Sequence, residues 1–336
     1  PETAEVVAYA QVVSEATDGA FDVTVGPLVN AWSFGSTERT RTIPSDASLQ
    51  ELRSSVGYQK LAVRIDPPAL RKSIPELQVD LSSIAKGHGV DRVVELLARL
   101  GFASVFVEIG GEVRTTGNKA GQPWRVGIQM PDAELIQGMA VHPLTDRSMA
   151  TSGDYRNRYE VDGVMYSHTI DPRTAKPITH DLASVTVIAD TCMEADAWAT
   201  ALNVLGYQAG IEKARTMNDL SVLLVQRTGD AGYELLGTGD LAKFSKQSIT
   251  AVTESATATG FDFAALTPIW MVTGLAFGLV LTGMAVGVMF GRKAIGGSCG
   301  GLNSQTNPDG TSSCTMCGSP SEACKELKQK MEDAKA

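Results

Sequence analysis

The sequence lacks an excess of basic residues, and this absence narrows the classes of partner that it can have. Its 336 residues include 29 Lys and Arg against 38 Asp and Glu, which gives a formal net charge of −9. Binding to the phosphate backbone of a nucleic acid requires a basic surface. A nucleic-acid-binding role therefore has no electrostatic support, and we expect no nucleic acid partner.

Cysteine and histidine are also scarce over most of the chain. One cysteine, Cys192, stands alone, and the other four all follow residue 298: Cys299, Cys314, Cys317 and Cys324. The chain has 4 histidines, so candidate catalytic bases are few. We interpret His142 and His180 as surface residues, and His88 and His168 as candidate site residues.

Charge is missing altogether from residues 263–291. This stretch is longer than the about 20 residues that a helix needs to cross a bilayer. We predict one transmembrane helix over 263–291, preceded by a linker at 246–262 that is rich in Ser, Thr and Ala. Arg292 and Lys293 follow the helix, and the positive-inside tendency then predicts a cytoplasmic tail at 292–336, with residues 1–262 on the outer side. A buried helix of a globular domain is the alternative.

The tail contains a Cys-x-x-Cys pair, Cys314 and Cys317, flanked by Cys299 and Cys324. Such a set is typical of thiolate ligands for iron or zinc, although the spacing is not that of a standard zinc ribbon, so the metal remains open. The alternative is a pair of disulfides, which a reducing cytosol disfavours.

Residues 1–245 alternate between helical and strand patterns, and some strands are joined by hairpins and others by helices. This mixture predicts an α+β domain. We expect a helix over 2–17, a short strand within 19–29, and strands at 61–65 and 77–81 around a turn at Pro67 and Pro68. Farther along, helices are predicted at 193–205 and 207–216.

Three polar runs between residues 149 and 200 hold candidate catalytic groups. Asp196 and Thr200 lie four residues apart on a predicted helix, so they share one face, and their oxygens suit a hard cation such as Mg²⁺. His168 precedes Asp171 and Pro172 in a polar turn, where a base could face a substrate. The alternatives are a solvated helix face and a histidine that is merely hydrogen-bonded.

Two upstream runs favour an anionic ligand. The segment from Val79 to Asp91 predicts a strand, a polar turn and the start of a helix, where free backbone N–H groups attract phosphate. Gly110 and Gly111 allow the backbone to approach a ligand closely, although a tight bend explains them equally well.

Seven runs, in this order along residues 1–240, resemble the ApbE family, the FAD:protein FMN transferases, whose catalytic domain is T-fold-like. They are Gly19-Ala20-Phe21-Asp22-Val23-Thr24-Val25-Gly26-Pro27-Leu28-Val29, Trp32-Ser33-Phe34-Gly35, Ser83-Ile84-Ala85-Lys86-Gly87, Gly110-Gly111-Glu112, Ala150-Thr151-Ser152-Gly153-Asp154-Tyr155, His168-Thr169-Ile170-Asp171-Pro172 and Ala195-Asp196-Ala197-Trp198-Ala199-Thr200.

The resemblance implies an enzyme that uses Mg²⁺ and passes the FMN half of FAD to a Thr hydroxyl of an acceptor protein, with release of AMP. It implies Mg²⁺ binding by the side chains of Asp196 and Thr200 and by the carbonyl of Ala85. His168 matches the family's functionally important His and is our candidate base for the acceptor Thr. The implied flavin contacts are Ala20, Phe21, Asp22, Ser82, His88 and Ile170.

The chain departs from the family pattern in two places, and its first residue already lies within a helical pattern. Ser33 and Ala175 stand where the family usually has Gly, and the second change falls in the turn behind His168. Because the chain opens at Pro1 within a helical pattern, we expect a preceding segment. In the family, that segment adds residues to the flavin pocket and carries an export or lipoprotein signal.

The tail resembles NqrM-like maturation proteins, which have one transmembrane helix, then Gly-Ser-Cys-Gly-Gly-Leu and a Cys-x-x-Cys. Such proteins assist assembly of the Na⁺-translocating NADH:quinone reductase, and the resemblance implies that they deliver iron. That reductase carries FMN bound to Thr. The two resemblances together imply a single-pass protein of the bacterial inner membrane, with a periplasmic catalytic domain and reductase subunits as partners.

Two other functions fit the same residues. A FAD pyrophosphatase would use water in place of the acceptor Thr. A non-enzymatic membrane assembly factor would bind flavin in the first domain and iron at the tail thiols.

Overall fold

A computed structural model describes residues 1–35, 40–132, 138–155, 157–229, 232–245 and the backbone of 248–250. These residues belong to one compact unit, Pro1–Thr253. The transmembrane helix predicted at 263–291, the tail at 292–336 and nearly all of the linker predicted at 246–262 lie outside the described residues. Within the ranges just given, no helix is long and apolar enough to cross a membrane.

Five α-helices and fifteen strands are described. The helices are α1 Glu2–Ala16, α2 Gly26–Ala31, α3 Asp46–Arg53, α4 Ala85–Arg99 and α5 Cys192–Ala214, with short 3-10 helices at Tyr58–Lys60 and Gly239–Phe244. The strands are β1 Leu61–Arg64, β2 Ala69–Lys72, β3 Val105–Ile109, β4 Glu112–Thr116, β5 Trp124–Gln129, β6 Gly138–Leu144, β7 Ser148–Gly153, β8 Arg158–Val161, β9 Val164–Ser167, β10 Ile170–Asp171, β11 Lys176–Pro177, β12 Leu182–Ala189, β13 Ser221–Thr228, β14 Gly232–Gly237 and β15 Ser248–Thr250.

The centre of the unit is an antiparallel sheet in the order β15-β14-β13-β12-β7-β4-β3. Every residue of β12 is buried, because both faces of the sheet are covered. Val185, Val187 and Ala189 face a core shared with α1 and α5, whereas Ile188 faces a second core shared with β5 and β6. An antiparallel sheet with its long helices on one face confirms the α+β prediction.

Helix α5 lies close against the sheet because its inner face is made of small side chains. Ala195, Ala199 and Ala201 are fully buried in the first core, as is Leu202. α5 bends at Gly206, whose φ of 78° and ψ of 179° are not helical. The two helices predicted at 193–205 and 207–216 are therefore confirmed as two segments on either side of this bend.

Two predicted strands are wrong. The run within 19–29 forms a turn followed by α2, because the Asp22 carboxylate accepts hydrogen bonds from the Thr24 N–H at 2.7 Å and the Tyr58 N–H at 2.7 Å. The second strand around the proline turn is β2 rather than 77–81. Residues 77–81 form neither a helix nor a strand, and the Asp80 N–H donates a hydrogen bond to the Val23 carbonyl at 2.7 Å.

Candidate active site

A cavity of about 400 Å³ opens where the first turn of α4, the β3–β4 turn, the end of β7, the β9–β10 connection and α5 meet. These five elements carry five of the sequence runs that resemble the ApbE family. The turn after α1 and α2 close another side of the cavity. The fold therefore brings together runs that are as much as 180 residues apart in the sequence.

Asp196 is the most enclosed carboxylate of the cavity, with 2% of its surface exposed. Its Oδ2 accepts a hydrogen bond from the Gly87 N–H at 2.9 Å, and its Oδ1 lies 3.4 Å from Lys86 Nζ. Burial raises the pKa of Asp196, and the contacts with Lys86 and Gly87 offset part of that rise. The carboxylate is thus positioned by the backbone of α4 and neutralised by one lysine.

Gly87 makes this contact possible. A Cβ at position 87 would lie 2.2 Å from the carbonyl oxygen of Cys192, so any larger residue would push α4 away from the start of α5. The close approach of the two helices is what places the Gly87 N–H within reach of Asp196.

The second side chain predicted to bind Mg²⁺, Thr200, also lines the cavity, one turn after Asp196 on α5. Its Oγ1 is 3.0 Å from Ser152 Oγ at the end of β7. Ala85 begins α4, two residues before Gly87, but does not itself line the cavity. In the described part of the chain, no group of three or more His, Cys, Asp and Glu residues could hold a metal.

This donor set nevertheless fits Mg²⁺, which binds proteins through one or two carboxylates and takes its remaining ligands from water and substrate phosphates. One buried carboxylate, one hydroxyl and one backbone carbonyl are hard oxygen donors of that kind. Asp196 and Thr200 supply donors of this kind to one cavity, and Mg²⁺ binding by Asp196, Thr200 and Ala85 stays a prediction.

The start of α5 is held by Asp91 of α4. The two oxygens of this buried carboxylate accept the N–H groups of Cys192 and Met193, each at 2.9 Å. Arg114 Nη1 of β4 lies 2.6 Å from Asp91 Oδ1. Asp91, a residue of α4, thus caps the N-terminus of α5 and fixes the helix that carries Asp196 and Thr200.

His168 lies between β9 and β10 and faces the same cavity. The backbone carbonyl of Asn157 lies 3.0 Å from the His168 backbone N and 3.1 Å from its Nδ1. Because a carbonyl oxygen can only accept, Nδ1 carries the proton and Nε2 keeps its lone pair. Burial lowers the pKa of His168, so the ring is neutral near pH 7.

Most residues predicted to contact the flavin line the cavity: Ala20, Phe21, Asp22, Ser82 and Ile170. The Asp22 carboxylate already accepts hydrogen bonds from two backbone N–H groups, so its main effect is to shape the turn. His88 is the exception, since it is half-buried in α4 and does not line the cavity.

The surface interpretation of His142 is wrong: this residue is buried in β6 on the side of Leu144, which packs in the second core. His180 is half-buried against Gly206.

Three further residues of the cavity were not singled out from the sequence. They are Lys86, Glu112 and Asn157. Lys86 Nζ lies 2.7 Å from Oε1 of Glu112, which is 3% exposed. The Asn157 carbonyl orients the His168 ring. Lys86 and Glu112 stand inside two of the quoted runs, directly after Ala85 and Gly111, so proximity in the sequence was an available signal. Asn157 had no such signal.

Both departures from the family pattern keep the backbone conformation that glycine favours. Ser33 and Ala175 each have a φ of 61°, in the left-handed region. The Ala175 carbonyl accepts a hydrogen bond from the Trp32 indole N–H at 2.9 Å, which fixes the turn behind His168. Each of these residues carries a Cβ in a conformation that favours glycine, which adds local strain.

Comparisons with known proteins agree with this fold and site. The ApbE family model matches residues 1–224. The FAD:protein FMN transferase of Vibrio cholerae is 45% identical over 234 residues, covering 69% of each chain, and that of Escherichia coli K12 is 41% identical over 231 residues, covering 68% of this chain and 66% of that protein. The chain thus spans about two thirds of the length of these curated relatives.

Two solved structures are similar over a comparable range. The flavin transferase ApbE from Vibrio cholerae has a TM-score of 0.64 and 41% identity, covering 72% of this chain and 76% of that one. The apo form of Pseudomonas stutzeri flavinyl transferase ApbE also has a TM-score of 0.64, with 38% identity, covering 73% of this chain and 75% of that one.

The antiparallel sheet, its helix-covered face and a cavity lined by the seven runs define a flavin transferase fold. The chain belongs to the ApbE family. Its similarity to proteins named FAD:protein FMN transferase supports transfer of FMN from FAD to a protein.

Proposed function

We propose that this chain is an Mg²⁺-dependent enzyme that transfers the FMN half of FAD to a Thr hydroxyl of an acceptor protein and releases AMP. The observation that carries the proposal is the meeting of Asp196, Thr200 and neutral His168 around one cavity. The first two supply oxygen donors for a cation, and the third supplies a base.

The side chains of Asp196 and Thr200 and the carbonyl of Ala85 would hold Mg²⁺. When bound, the ion neutralises phosphate oxygens of FAD, which is the main requirement of a phosphoryl transfer. Gly87 and Ser152 support this arrangement, because each contacts one of the two ligand side chains.

His168 performs the proton transfer. A Thr hydroxyl is a weak nucleophile, so it needs a base within hydrogen-bond reach. His168 Nε2 takes the Thr proton as the Thr oxygen attacks the phosphorus of the FMN half. The bond from that phosphorus to the AMP oxygen breaks, and AMP leaves. The Asn157 carbonyl holds the ring in position and stabilises the positive charge that it gains.

For the remainder of the chain, we propose a single-pass protein of the bacterial inner membrane, with its span at 263–291, a periplasmic flavin transferase domain and a cytoplasmic tail. The proposal rests on the run without charged residues, the Arg292–Lys293 pair that follows it and the NqrM-like cysteine pattern. Cys299, Cys314, Cys317 and Cys324 would bind iron or zinc. The partners would be subunits of a Na⁺-translocating NADH:quinone reductase, one of which carries the acceptor Thr.

The test of the flavin transfer uses the full chain in detergent, with FAD, Mg²⁺ and a candidate acceptor domain. Intact mass reports the acceptor, and chromatography reports the nucleotides. A matched acceptor, in which the Thr is replaced by Val, keeps the size of the side chain but removes the hydroxyl. The proposal predicts a mass gain of one FMN on the Thr acceptor alone, with one AMP released for each acceptor modified.

Other products would contradict the proposal in different ways. Free FMN and AMP that form at equal rates with either acceptor would identify a FAD pyrophosphatase. FAD that is bound but unchanged would identify a flavin-binding assembly factor.

A further inference from the structure

Two buried carboxylates of the cavity share one ammonium group. Lys86 Nζ lies 2.7 Å from Glu112 Oε1 and 3.4 Å from Asp196 Oδ1. The side chains of Glu112 and Asp196 are 4% and 3% exposed, whereas that of Lys86 is 44% exposed. The lysine therefore reaches in from the cavity mouth and joins a residue of β4 to a residue of α5.

Glu112 has no evident role in the mechanism derived above. It lines the cavity, and its Oε2 is buried with no hydrogen-bond partner among the described residues. A buried carboxylate in that position is costly unless a cation balances it. The contact of Lys86 Nζ with Glu112 is the shorter of the two and lies within ordinary hydrogen-bond distance, so Glu112 fixes the position of the ammonium group.

We propose that Lys86 is an internal counter-cation that competes with Mg²⁺ for Asp196, and that Glu112 is the positioning residue that holds Lys86 back and so keeps Asp196 available. The proposal deepens the proposed function, because it rests on Asp196 as a metal ligand. It assigns roles to Lys86 and Glu112 that follow from their contacts alone.

The proposal makes opposite predictions for the two residues. Loss of the lysine charge removes a competitor at Asp196 Oδ1, so Mg²⁺ should bind more tightly. Loss of the Glu112 charge leaves Lys86 with Asp196 as its remaining anionic partner, so Mg²⁺ should bind more weakly. An interaction between unit charges at about 4 Å near a protein surface is strong enough for changes of about tenfold in affinity.

The test measures Mg²⁺ affinity by titration calorimetry on the full chain without FAD, so the readout does not depend on catalysis. Lys86→Met should tighten binding about tenfold. Lys86→Arg, which keeps the charge, should stay within about threefold of the unsubstituted chain. Glu112→Gln should weaken binding at least threefold. Circular dichroism verifies that each variant is folded.

A double variant separates positioning from direct ligation. If Glu112 acts through Lys86, Glu112→Gln should change the affinity less than about twofold in the Lys86→Met background. The same weakening in both backgrounds would show that Glu112 binds the metal itself and would overturn the proposal. Unchanged or weaker binding by Lys86→Met would also overturn it. Failure of flavin transfer by the unsubstituted chain would instead count against the proposed function, because calorimetry is independent of transfer.

Discussion

At the scale of single residues, the environment of His168 decides its chemistry. The His168 Nδ1–H donates a hydrogen bond to the Asn157 carbonyl, and burial lowers the pKa of His168 from the ordinary value of 6.5. The residue type and motif were readable from the sequence. The tautomer and the direction of the pKa shift were not, because they depend on a carbonyl eleven residues away and on burial by distant elements.

The first prediction concerns pH. The acid limb of the rate of flavin transfer, measured with saturating Mg²⁺, should have its midpoint below pH 6.5. The rate falls at acid pH because His168 is protonated, and loses its free lone pair, as pH falls through its lowered pKa. Above that pH the base is fully available. Saturating Mg²⁺ keeps Asp196 ionised, so its own raised pKa does not contribute. A midpoint at or above pH 6.5 would contradict the account.

The second prediction concerns strain. Ala175 adopts a φ of 61°, which costs a residue with a Cβ about 1 kcal/mol relative to glycine. Ala175→Gly should therefore raise the free energy of unfolding by up to about 1 kcal/mol, since the flexibility of glycine in the unfolded chain offsets part of the gain. Urea unfolding followed by tryptophan fluorescence measures the change. Ala183→Gly near the start of β12, where Ala183 is fully buried, is the control, and it should destabilise.

At the scale of secondary-structure elements, α5 is the part that most of the site depends on. It supplies Asp196 and Thr200, and its start is fixed by Asp91 of α4. The sequence predicted the helix and the shared face of the two residues. It did not predict the cap, because Asp91 and Cys192 are 101 positions apart and meet only when α4 packs on α5.

The third prediction tests this cap. Asp91→Ala should lower the free energy of unfolding by about 2–4 kcal/mol, because two helix N–H groups and Arg114 lose their partner. Mg²⁺ affinity should fall as well, since the start of α5 positions Asp196. The control is Asp46→Asn, because Asp46 is 87% exposed in its pair with Lys176 and should change stability by less than about 0.5 kcal/mol. Equal effects of the two substitutions would refute the role of Asp91.

The errors in the predicted elements have local causes. The run within 19–29 alternates apolar and polar residues as a strand does, but the Asp22 side chain offers the backbone a turn instead. Residues 77–81 have a strand-like composition but pair with no strand of the described part of the chain, whereas Ala69–Lys72 follows the proline turn directly and pairs with β1. Composition favours a strand, but pairing decides it.

At the scale of the whole molecule, the five cysteines should fall into two chemical classes. Cys192 is fully buried at the start of α5, and burial and the neighbouring carboxylates raise the pKa of its thiol. A buried thiol with a raised pKa is unreactive. The other four lie in the tail, outside the described residues, where we propose that they bind iron or zinc.

The fourth prediction follows from these two classes. In the native full chain, stripped of metal and reduced, a thiol reagent should modify Cys299, Cys314, Cys317 and Cys324, and should reach Cys192 only after denaturation. Peptide mass spectrometry assigns the sites. Metal analysis of the protein before stripping should find iron or zinc, and replacement of the four tail cysteines by Ser should remove it while flavin transfer persists. Modification of native Cys192 would contradict the account.

The central claim is that one cavity, with His168 as base and Asp196 as cation ligand, performs the transfer. The most direct measurement compares rates of FMN incorporation into the acceptor, by intact mass, for His168→Ala, Asp196→Asn and the control His142→Gln. The account predicts a loss of at least about 100-fold for His168→Ala, which removes the general base. It predicts a loss of at least about 100-fold for Asp196→Asn, which removes the charge that would hold the cation, and near-full activity for the control. Transfer at an undiminished rate by folded His168→Ala protein would contradict it.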